Sequence, residues 1–385
     1  MAYILPHSME NVLALLISFA LLTGCAGHIT PYTSASDIRV ATVTQKKLWH
    51  QADELEEALI NLDQVIYNRS LVNYMQSIMD KLFPEFEGKI RVRVLDNHNL
   101  NAFALPNGSV YVHTGLLAAL ENEAQLATVL AHEGMHFVHR HGEKSYRVFH
   151  QSAGFSVFAA TMGIPLIADF GALSVISGYS VSFEKEADVD GFIRLKAAGY
   201  DVRESTQAFQ KLANEAEARN AKTPMLFASH PKLQSRVANF ERLIEESTDE
   251  RIAGFGCIGR VEYNVFVMPL RDSVLKSKLE SGQYDVLINV IAAHEDKSIY
   301  PKTVYYYIAE AYRLRGKEED RKLIDQTFDI AELKLPDYAP LYRSIGEHHL
   351  KSKNQALAKQ YFEKYLRLAP EAEDRSFIQH YIEEL

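Results

Sequence analysis

The sequence is short of cysteine, of excess positive charge and of long apolar runs, and each shortage excludes a class of protein. Two cysteines, Cys25 and Cys257, are too few for a disulfide framework or a cysteine-based metal site. Its 41 Lys and Arg residues are outnumbered by 50 Asp and Glu, so the formal charge is −9, which argues against a nucleic-acid partner. No apolar run approaches the roughly 20 residues that a membrane-spanning helix needs.

What is present is the composition of a globular protein. Hydrophobic residues make up 47% of the chain and charged residues 24%, which excludes intrinsic disorder. At about 150 residues per domain, the 385 residues predict two to three domains.

The N-terminus has the pattern of an export signal. Residues 12–22 are an apolar run of the length of a signal-peptide core, and the Leu-Thr-Gly-Cys that ends at Cys25 resembles the bacterial lipobox. This resemblance implies a signal peptide over residues 1–24, lipidation of Cys25, and a tether over 25–45 that holds the chain to a membrane from the periplasm. Ala26 favours the outer membrane over the inner one. A short apolar helix packed on the domain is the alternative.

Hydrophobic periodicity predicts an α+β domain over residues 46–250. Apolar positions at helical spacing over 46–86 predict one or two amphipathic helices, and helical signals dominate 116–246. Between them, apolar alternation over 90–94 predicts a strand, and a Pro-Asn-Gly turn within 102–112 predicts a hairpin. We therefore expect a mostly helical domain with a small antiparallel sheet.

The last third of the chain, residues 272–385, contains an internal repeat. The positions that recur about 37 residues apart are Tyr305, Ile308, Ala309 and Tyr312 in one copy and Tyr342, Ile345, Gly346 and His349 in the next. Their order of large, small and aromatic residues resembles the tetratricopeptide repeat, which implies an all-α solenoid with a concave surface for a protein partner. An ordinary helical hairpin domain is the alternative. A strand-like stretch over 261–267, preceded by glycines, predicts a linker over 251–271.

The strongest chemical signal is the sequence His-Glu-Gly-Met-His. His132 and His136 are four residues apart, so a helix places them on one face, where both can bind one zinc ion. Glu133 follows the first histidine, where its carboxylate can act as general base on a zinc-bound water. We interpret His139 and His141, just beyond the motif, as surface or packing residues rather than ligands.

A catalytic zinc needs a third protein ligand and one position open for water. Glu184 and Asp188 lie about fifty residues downstream in a predicted helix, four residues apart and on one face. Glu186, between them, points elsewhere. Either carboxylate of that face is a candidate ligand.

These motifs resemble the zinc metallopeptidase family that includes the CAAX prenyl endopeptidases and HtpX, in its periplasmic BepA/LoiP-like branch. The resemblance covers roughly residues 46–245, and it also includes the Asn-Ala-Phe-Ala-Leu-Pro-Asn-Gly that ends at Gly108 and the segment from His230 to Arg236. It implies a zincin-type (gluzincin) fold with one zinc ion per chain.

The same resemblance assigns roles to residues of the motif. It implies that His132, His136 and Glu184 bind the zinc and that Glu133 activates the water. Asp188 would orient a ligand histidine, which fixes the tautomer and the ring angle.

It also extends to residues outside the motif. His230 matches a histidine that either approaches the metal as a closing ligand or stabilises the oxyanion, while a structural, helix-capping role before Pro231 stays open. Arg236 is expected to order that loop. Tyr111 and Val112 match an edge strand that pairs with an extended peptide.

Together these features predict a zinc-dependent endopeptidase of the periplasm that hydrolyses unfolded or misassembled envelope proteins. Its repeats would bind a protein partner, and its lipid would contact the membrane. The alternative is a repeat-bearing chaperone or assembly factor whose peptidase site is latent, plugged by His230.

Overall fold

The computed structural model describes residues 29–39, 41–150, 179–218, 233–247, 256–294 and 297–385. Its first elements are α1 (Val43–Asn61), α2 (Arg69–Leu82), β1 (Arg91–Leu95), β2 (Ala102–Ala104), β3 (Ser109–His113), α3 (Thr114–Ala119), α4 (Glu123–Val138) and α5 (His141–His150). The later ones are α6 (Val181–Ala197), α7 (Arg203–Ala218), α8 (Leu233–Glu246), α9 (Arg260–Glu280), α10 (Tyr284–Ala292), α11 (Val304–Arg315), α12 (Arg321–Lys334), α13 (Ala339–Lys351), α14 (Gln355–Leu368) and α15 (Arg375–Glu384). None of the helices in these ranges is long and apolar enough to cross a membrane.

The sheet is mixed, so the prediction of an antiparallel sheet is wrong. Its strand order is β1-β3-β2, in which β2 pairs antiparallel with β3 and confirms the predicted hairpin. The hairpin covers only one side of β3, and β1 occupies the other side in parallel, with Val94 opposite Val112. Tyr111 and Val112 are therefore buried in the central strand, and their predicted place on an edge strand is wrong.

The described residues 29–39, which belong to the predicted tether, pack on the domain. Tyr32 is buried, its ring lies 5.4 Å from that of Phe137, and its backbone N–H donates to the oxygen of Val138 at 2.9 Å. Burial of this aromatic ring explains the docking, because it removes a large apolar area from water. Helix α1 then follows a capping box formed by Thr42 and Gln45.

Helix α4 runs through the main core, where it packs against α2, α6, α7 and the sheet. Every residue from Ala124 to Val138 is buried, as expected of a helix that is apolar on nearly all sides. The Asn122 side chain caps its start by accepting the Gln125 N–H at 2.9 Å. In its middle, a Cβ at Gly134 would lie 2.3 Å from the ring of Phe83. The absent side chain thus allows α4 to sit directly on the end of α2.

The linker predicted over 251–271 is wrong from Arg260 onwards, because the structure has a helix there. Helix α9 spans the stretch predicted as a strand, and its Tyr263 and Val267 are buried in the same core as α4. These two residues are four apart and so face the core together, which favours a helix over a strand. The part of the chain that contains α4 and the last third are therefore joined by a packed helix.

In the last third, α11 packs on α12 and α13 packs on α14. Gly346 of α13 makes close approach possible, because a Cβ there would lie 2.6 Å from the ring of Phe362 in α14. Tyr342, Ile345 and Phe362 are buried between these helices. The repeated small and aromatic positions thus lie at contacts between helices.

Candidate metal centre

The two histidines of the motif meet on one face of α4, as the four-residue spacing predicts. Their Nε2 atoms are 3.0 Å apart, and the residues are 2% and 1% exposed. Glu133, beside them, is equally buried. Helix α4 thus presents two imidazole nitrogens and a carboxylate in a region that water barely enters.

Helix α6 brings Glu184 to these histidines. Its Oε2 lies 3.5 Å from His132 Nε2, and its Oε1 lies 3.4 Å from His136 Nε2. Helix α6 packs on α4, with Gly191 against the Ala131 backbone, where an added Cβ would make an ordinary contact at 3.4 Å. Three potential ligand atoms therefore converge on one buried point.

The spacing of these three atoms fits zinc. With bonds of about 2.0–2.1 Å, neighbouring corners of a tetrahedron are about 3.3 Å apart. The observed separations are 3.0 Å between the two Nε2 atoms, 3.5 Å from His132 Nε2 to Glu184 Oε2 and 3.4 Å from His136 Nε2 to Glu184 Oε1. Two imidazoles and one carboxylate are also a donor set that zinc takes in catalytic sites, with a fourth position left for water.

Asp188 and Arg236 lie behind His132. Asp188 Oδ1 is 3.0 Å from His132 Nδ1, and Arg236 Nη2 is 2.6 Å from the same carboxylate oxygen. Arg236 is buried, and its guanidinium also lies 3.9 Å from the ring centre of Phe209. Arg236 and its helix α8 thus hold the carboxylate that contacts the ligand histidine.

The charges around His132 favour a cation at this point. Burial and the Arg236 guanidinium lower the pKa of His132, but hydrogen bonds with Asp188 and Glu184 outweigh them and raise it to about 9. Burial raises the pKa of Asp188, but the charge of Arg236 and the contact with His132 hold it below its ordinary value. Two carboxylates therefore stabilise positive charge, which zinc supplies when it replaces the proton.

The groups behind His136 are not predicted from the sequence. His141 Nδ1 lies 2.9 Å from His136 Nδ1, and His141 Nε2 lies 2.9 Å from Glu186 Oε2. Burial lowers the pKa of His141 to about 4, so this ring is neutral at pH 7. His139 is also buried, with its Nε2 2.7 Å from Asp190. Of the two roles predicted for His139 and His141, surface or packing, their burial agrees with the packing one.

His141 is placed behind His136 by a backbone turn that the sequence does not predict. Helix α4 ends at Val138, and Arg140 adopts a left-handed conformation with φ of 57°. Glycine is the usual residue for that conformation, so an arginine gives no signal. The turn starts α5 beneath His136.

Tyr179 also belongs to this centre, although it is part of no sequence motif. Its ring stacks on His136 at 3.8 Å and is buried. Burial raises its pKa well above the ordinary value, and the charges of Glu133 and Glu184 raise it further, so it stays a neutral phenol.

The structure thus brings together the predicted residues His132, Glu133, His136, Glu184, Asp188 and Arg236. His230, Cys25 and the predicted signal peptide over 1–24 lie outside the described residues.

Residues 67–244, which carry every one of the converging groups, match the sequence model of Peptidase family M48. The chain carries an M48 domain. Within the structure this domain runs from the residues just before α2 through most of α8.

Similar proteins include named proteases. The chain is 27% identical over 214 residues to the putative beta-barrel assembly-enhancing protease of Vibrio cholerae serotype O1, which covers 51% of this chain and 44% of the relative. It is 29% identical over 170 residues to the mitochondrial metalloendopeptidase OMA1 of Schizosaccharomyces pombe. This match covers 42% of this chain and 49% of the relative. It is 30% identical over 159 residues to the beta-barrel assembly-enhancing protease of Escherichia coli K12. This match covers 38% of this chain and 32% of the relative. The matched part thus spans less than half the length of each relative.

Proposed function

We propose that the chain is a zinc metalloendopeptidase. The observation that carries this proposal is the convergence of His132, His136 and Glu184 at tetrahedral spacing, with Glu133 buried beside them. Zinc, when bound, polarises the scissile carbonyl and lowers the pKa of water to about 7. Glu133 then takes the proton of the attacking water and returns it to the leaving amine. Asp188 keeps His132 in the tautomer that offers Nε2 as ligand.

The free edge of the sheet supports an extended peptide as substrate. Among the described residues, no strand pairs with the outer side of β2, and β2 packs against α4. A cavity is lined by residues at and just after the end of this strand, Ala104, Leu105 and Pro106, and also by His136 and Tyr179. A peptide added to β2 by backbone hydrogen bonds would run past the ligand His136.

His230 fits this proposal as a residue that closes the site or stabilises the oxyanion. Helix α8 begins at Leu233, three residues after it, and places Arg236 Nη1 3.8 Å from Glu184. The chain therefore approaches the metal ligands shortly after His230.

The location and the substrates are inferred from the N-terminus and the relatives. The lipobox-like sequence at Cys25 favours a lipid-anchored protein of the periplasm, at the outer membrane. Two of the relatives are named as beta-barrel assembly-enhancing proteases, which favours unfolded or misassembled envelope proteins as substrates. The paired helices α11 to α14 have the small and aromatic contacts of tetratricopeptide-like repeats, and we expect them to bind a protein partner.

The test is the zinc content and proteolytic activity of the purified chain. We expect about one zinc per chain and cleavage of an unfolded model protein. Replacing Glu133 with Gln should lower the rate by at least about a hundredfold, because a general base contributes about 10²–10⁴, while the zinc content stays the same. Absence of zinc, or unchanged cleavage by Glu133→Gln, would refute the proposal. In parallel, His230→Ala raises the rate if His230 closes the site and lowers it if His230 stabilises the oxyanion.

A further inference from the structure

The second nitrogen of His136 has an unusual partner for a ligand histidine. A metal-bound histidine commonly donates its other N–H to a carboxylate, a backbone carbonyl or water. His132 follows that rule, since its Nδ1 is 3.0 Å from Asp188. The Nδ1 of His136 instead lies 2.9 Å from Nδ1 of another imidazole, that of His141.

We infer that His141 and Glu186 position His136 through a hydrogen-bond relay, His136–His141–Glu186. This inference rests on the proposed zinc site. His136 offers its Nε2 lone pair to the metal, so its proton is on Nδ1, and that N–H donates to His141 Nδ1. His141 then carries its own proton on Nε2 and donates it to Glu186 Oε2 at 2.9 Å.

The surroundings hold the relay in place. His136 and His141 are 1% and 0% exposed, so water does not compete for their nitrogens. The ring of His141 stacks on Phe183 at 4.4 Å with an interplanar angle of 11°, which fixes its plane. Glu186 is 40% exposed, and its Oε2 forms an ion pair with Lys144, whose Nζ is 3.8 Å away. Its charge is thereby kept at the outer end of the relay.

The same residues could be taken for a second metal site, because potential ligand atoms of His139, His141 and Glu186 lie close together. Proton placement argues against that interpretation. When His136 binds zinc, His141 must accept at Nδ1, and a neutral imidazole then has its proton on Nε2. Nε2 therefore has no lone pair for a second ion. Lys144 already places a positive charge beside Glu186.

Three variants of His141 separate the two halves of the relay. In His141→Asn, the amide oxygen lies near the position of the imidazole Nδ1 and can still accept the N–H of His136. Gln places its amide near Nε2 and can reach Glu186 but not His136. Phe keeps the aromatic ring against Phe183 and removes both hydrogen bonds.

Zinc affinity of the full chain is measured by competition with a chromophoric chelator. We expect His141→Phe to weaken zinc binding by about 10–100-fold, the usual cost of losing an outer partner of a ligand. His141→Asn should lie closer to the parent protein than His141→Gln does. Glu186→Gln should weaken binding less than His141→Phe, because its amide oxygen still accepts. In the Co²⁺-loaded protein, His141→Phe should shift the visible absorption bands, which report on the ligand field of His136.

Asp190→Asn is the matched control. Asp190 lies on the same helix as Glu186, is 39% exposed, and contacts His139 at 2.7 Å, but it lies outside the relay. Its substitution should leave the zinc affinity and the Co²⁺ spectrum unchanged. The unfolding temperature of each metal-free variant distinguishes misfolding from loss of the relay. A variant that unfolds at the temperature of the parent protein but binds zinc weakly supports the relay.

Several results would overturn the relay. These are parent-like zinc affinity in His141→Phe, equal losses in Glu186→Gln and Asp190→Asn, or two zinc ions per chain of which one is lost in Glu186→Gln. If His136→Ala abolishes zinc binding while His141→Phe does not alter it, the relay fails and the proposed function stands. A parent protein that binds no zinc would overturn the proposed function itself.

Discussion

Each ligand histidine of α4 has a different partner on its second nitrogen. His132 faces the carboxylate of Asp188, which is itself held by Arg236, and His136 faces the imidazole of His141. The first arrangement keeps negative charge directly behind the ligand, and the second moves it one imidazole further out, to Glu186. In the proposed zinc site, the charge that stabilises the metal is therefore distributed unevenly over the two histidines.

Replacing Arg236 with Met tests the buried pair behind His132. The variant removes the cation that contacts Asp188 at 2.6 Å, and breaking a buried ion pair from one side should lower the free energy of unfolding by about 3 kcal/mol. Urea unfolding is the measurement. Arg242→Met is the matched control, since Arg242 pairs with Glu246 at the same 2.6 Å but on the exposed face of α8. That variant should change stability by less than about 1 kcal/mol. Equal losses in the two variants would contradict the prediction.

At the scale of elements, α4 is the platform of the site, and its position depends on a contact that a side chain would block. The ring of Phe83 occupies the space that a Cβ at Gly134 would take, at 2.3 Å. Gly134 stands between Glu133 and His136, so a shift of α4 at this point would displace the base and a ligand together.

Gly134→Ala is therefore expected to destabilise the protein, although Gly to Ala inside a helix ordinarily stabilises. The propensity gain is about 1 kcal/mol, and the overlap with Phe83 should cost more, with a net loss of about 1–3 kcal/mol. Gly191→Ala in α6 provides the comparison, because its Cβ would lie 3.4 Å from Ala131 and needs little movement. We expect a change of less than about 1 kcal/mol there. Urea unfolding that shows Gly134→Ala to be stabilising would refute this account.

Patterns between near neighbours predicted the elements that carry the chemistry. The spacing of His132 and His136 predicted α4, and the turn before Gly108 predicted the β2–β3 hairpin. Contacts between distant segments decided what the sequence did not predict. β1 joins the free side of β3, and the core fixes 261–267 as helix through Tyr263 and its neighbours one turn away.

At the scale of the whole molecule, the M48 domain and the last third are connected by buried polar contacts. Arg271 of α9 is fully buried and donates to the backbone oxygens of Ala118 at 3.1 Å and Leu120 at 2.6 Å. It also donates to the backbone oxygen of Ile299 at 2.6 Å, in the last third. A guanidinium with three backbone acceptors leaves little freedom between the parts. The last third is thereby connected with the loop that precedes α4.

Glu121, in that loop, makes this connection dependent on pH. Its Oε1 lies 3.1 Å from His294 Nδ1, next to α10, and 2.8 Å from Lys211 Nζ in α7. The hydrogen bond with His294 lowers the pKa of Glu121, burial opposes this, and Lys211 lowers it further, to about 2. Because the folded pKa lies below the ordinary value of 4.5, the ionised carboxylate stabilises the fold above about pH 4.5. That contribution is lost as the pH falls from 4.5 towards 2.

Glu121→Gln should therefore lower the urea midpoint at neutral pH, and the difference from the parent protein should narrow below pH 4.5. The amide still accepts a hydrogen bond but does not carry the charge that His294 and Lys211 stabilise. Glu280→Gln is the control, because Glu280 is exposed on α9 and 3.8 Å from Lys276. Its midpoint should follow the parent at every pH. A deficit in Glu121→Gln that stays constant down to pH 2 would show that shape, rather than charge, connects the loop to the repeats.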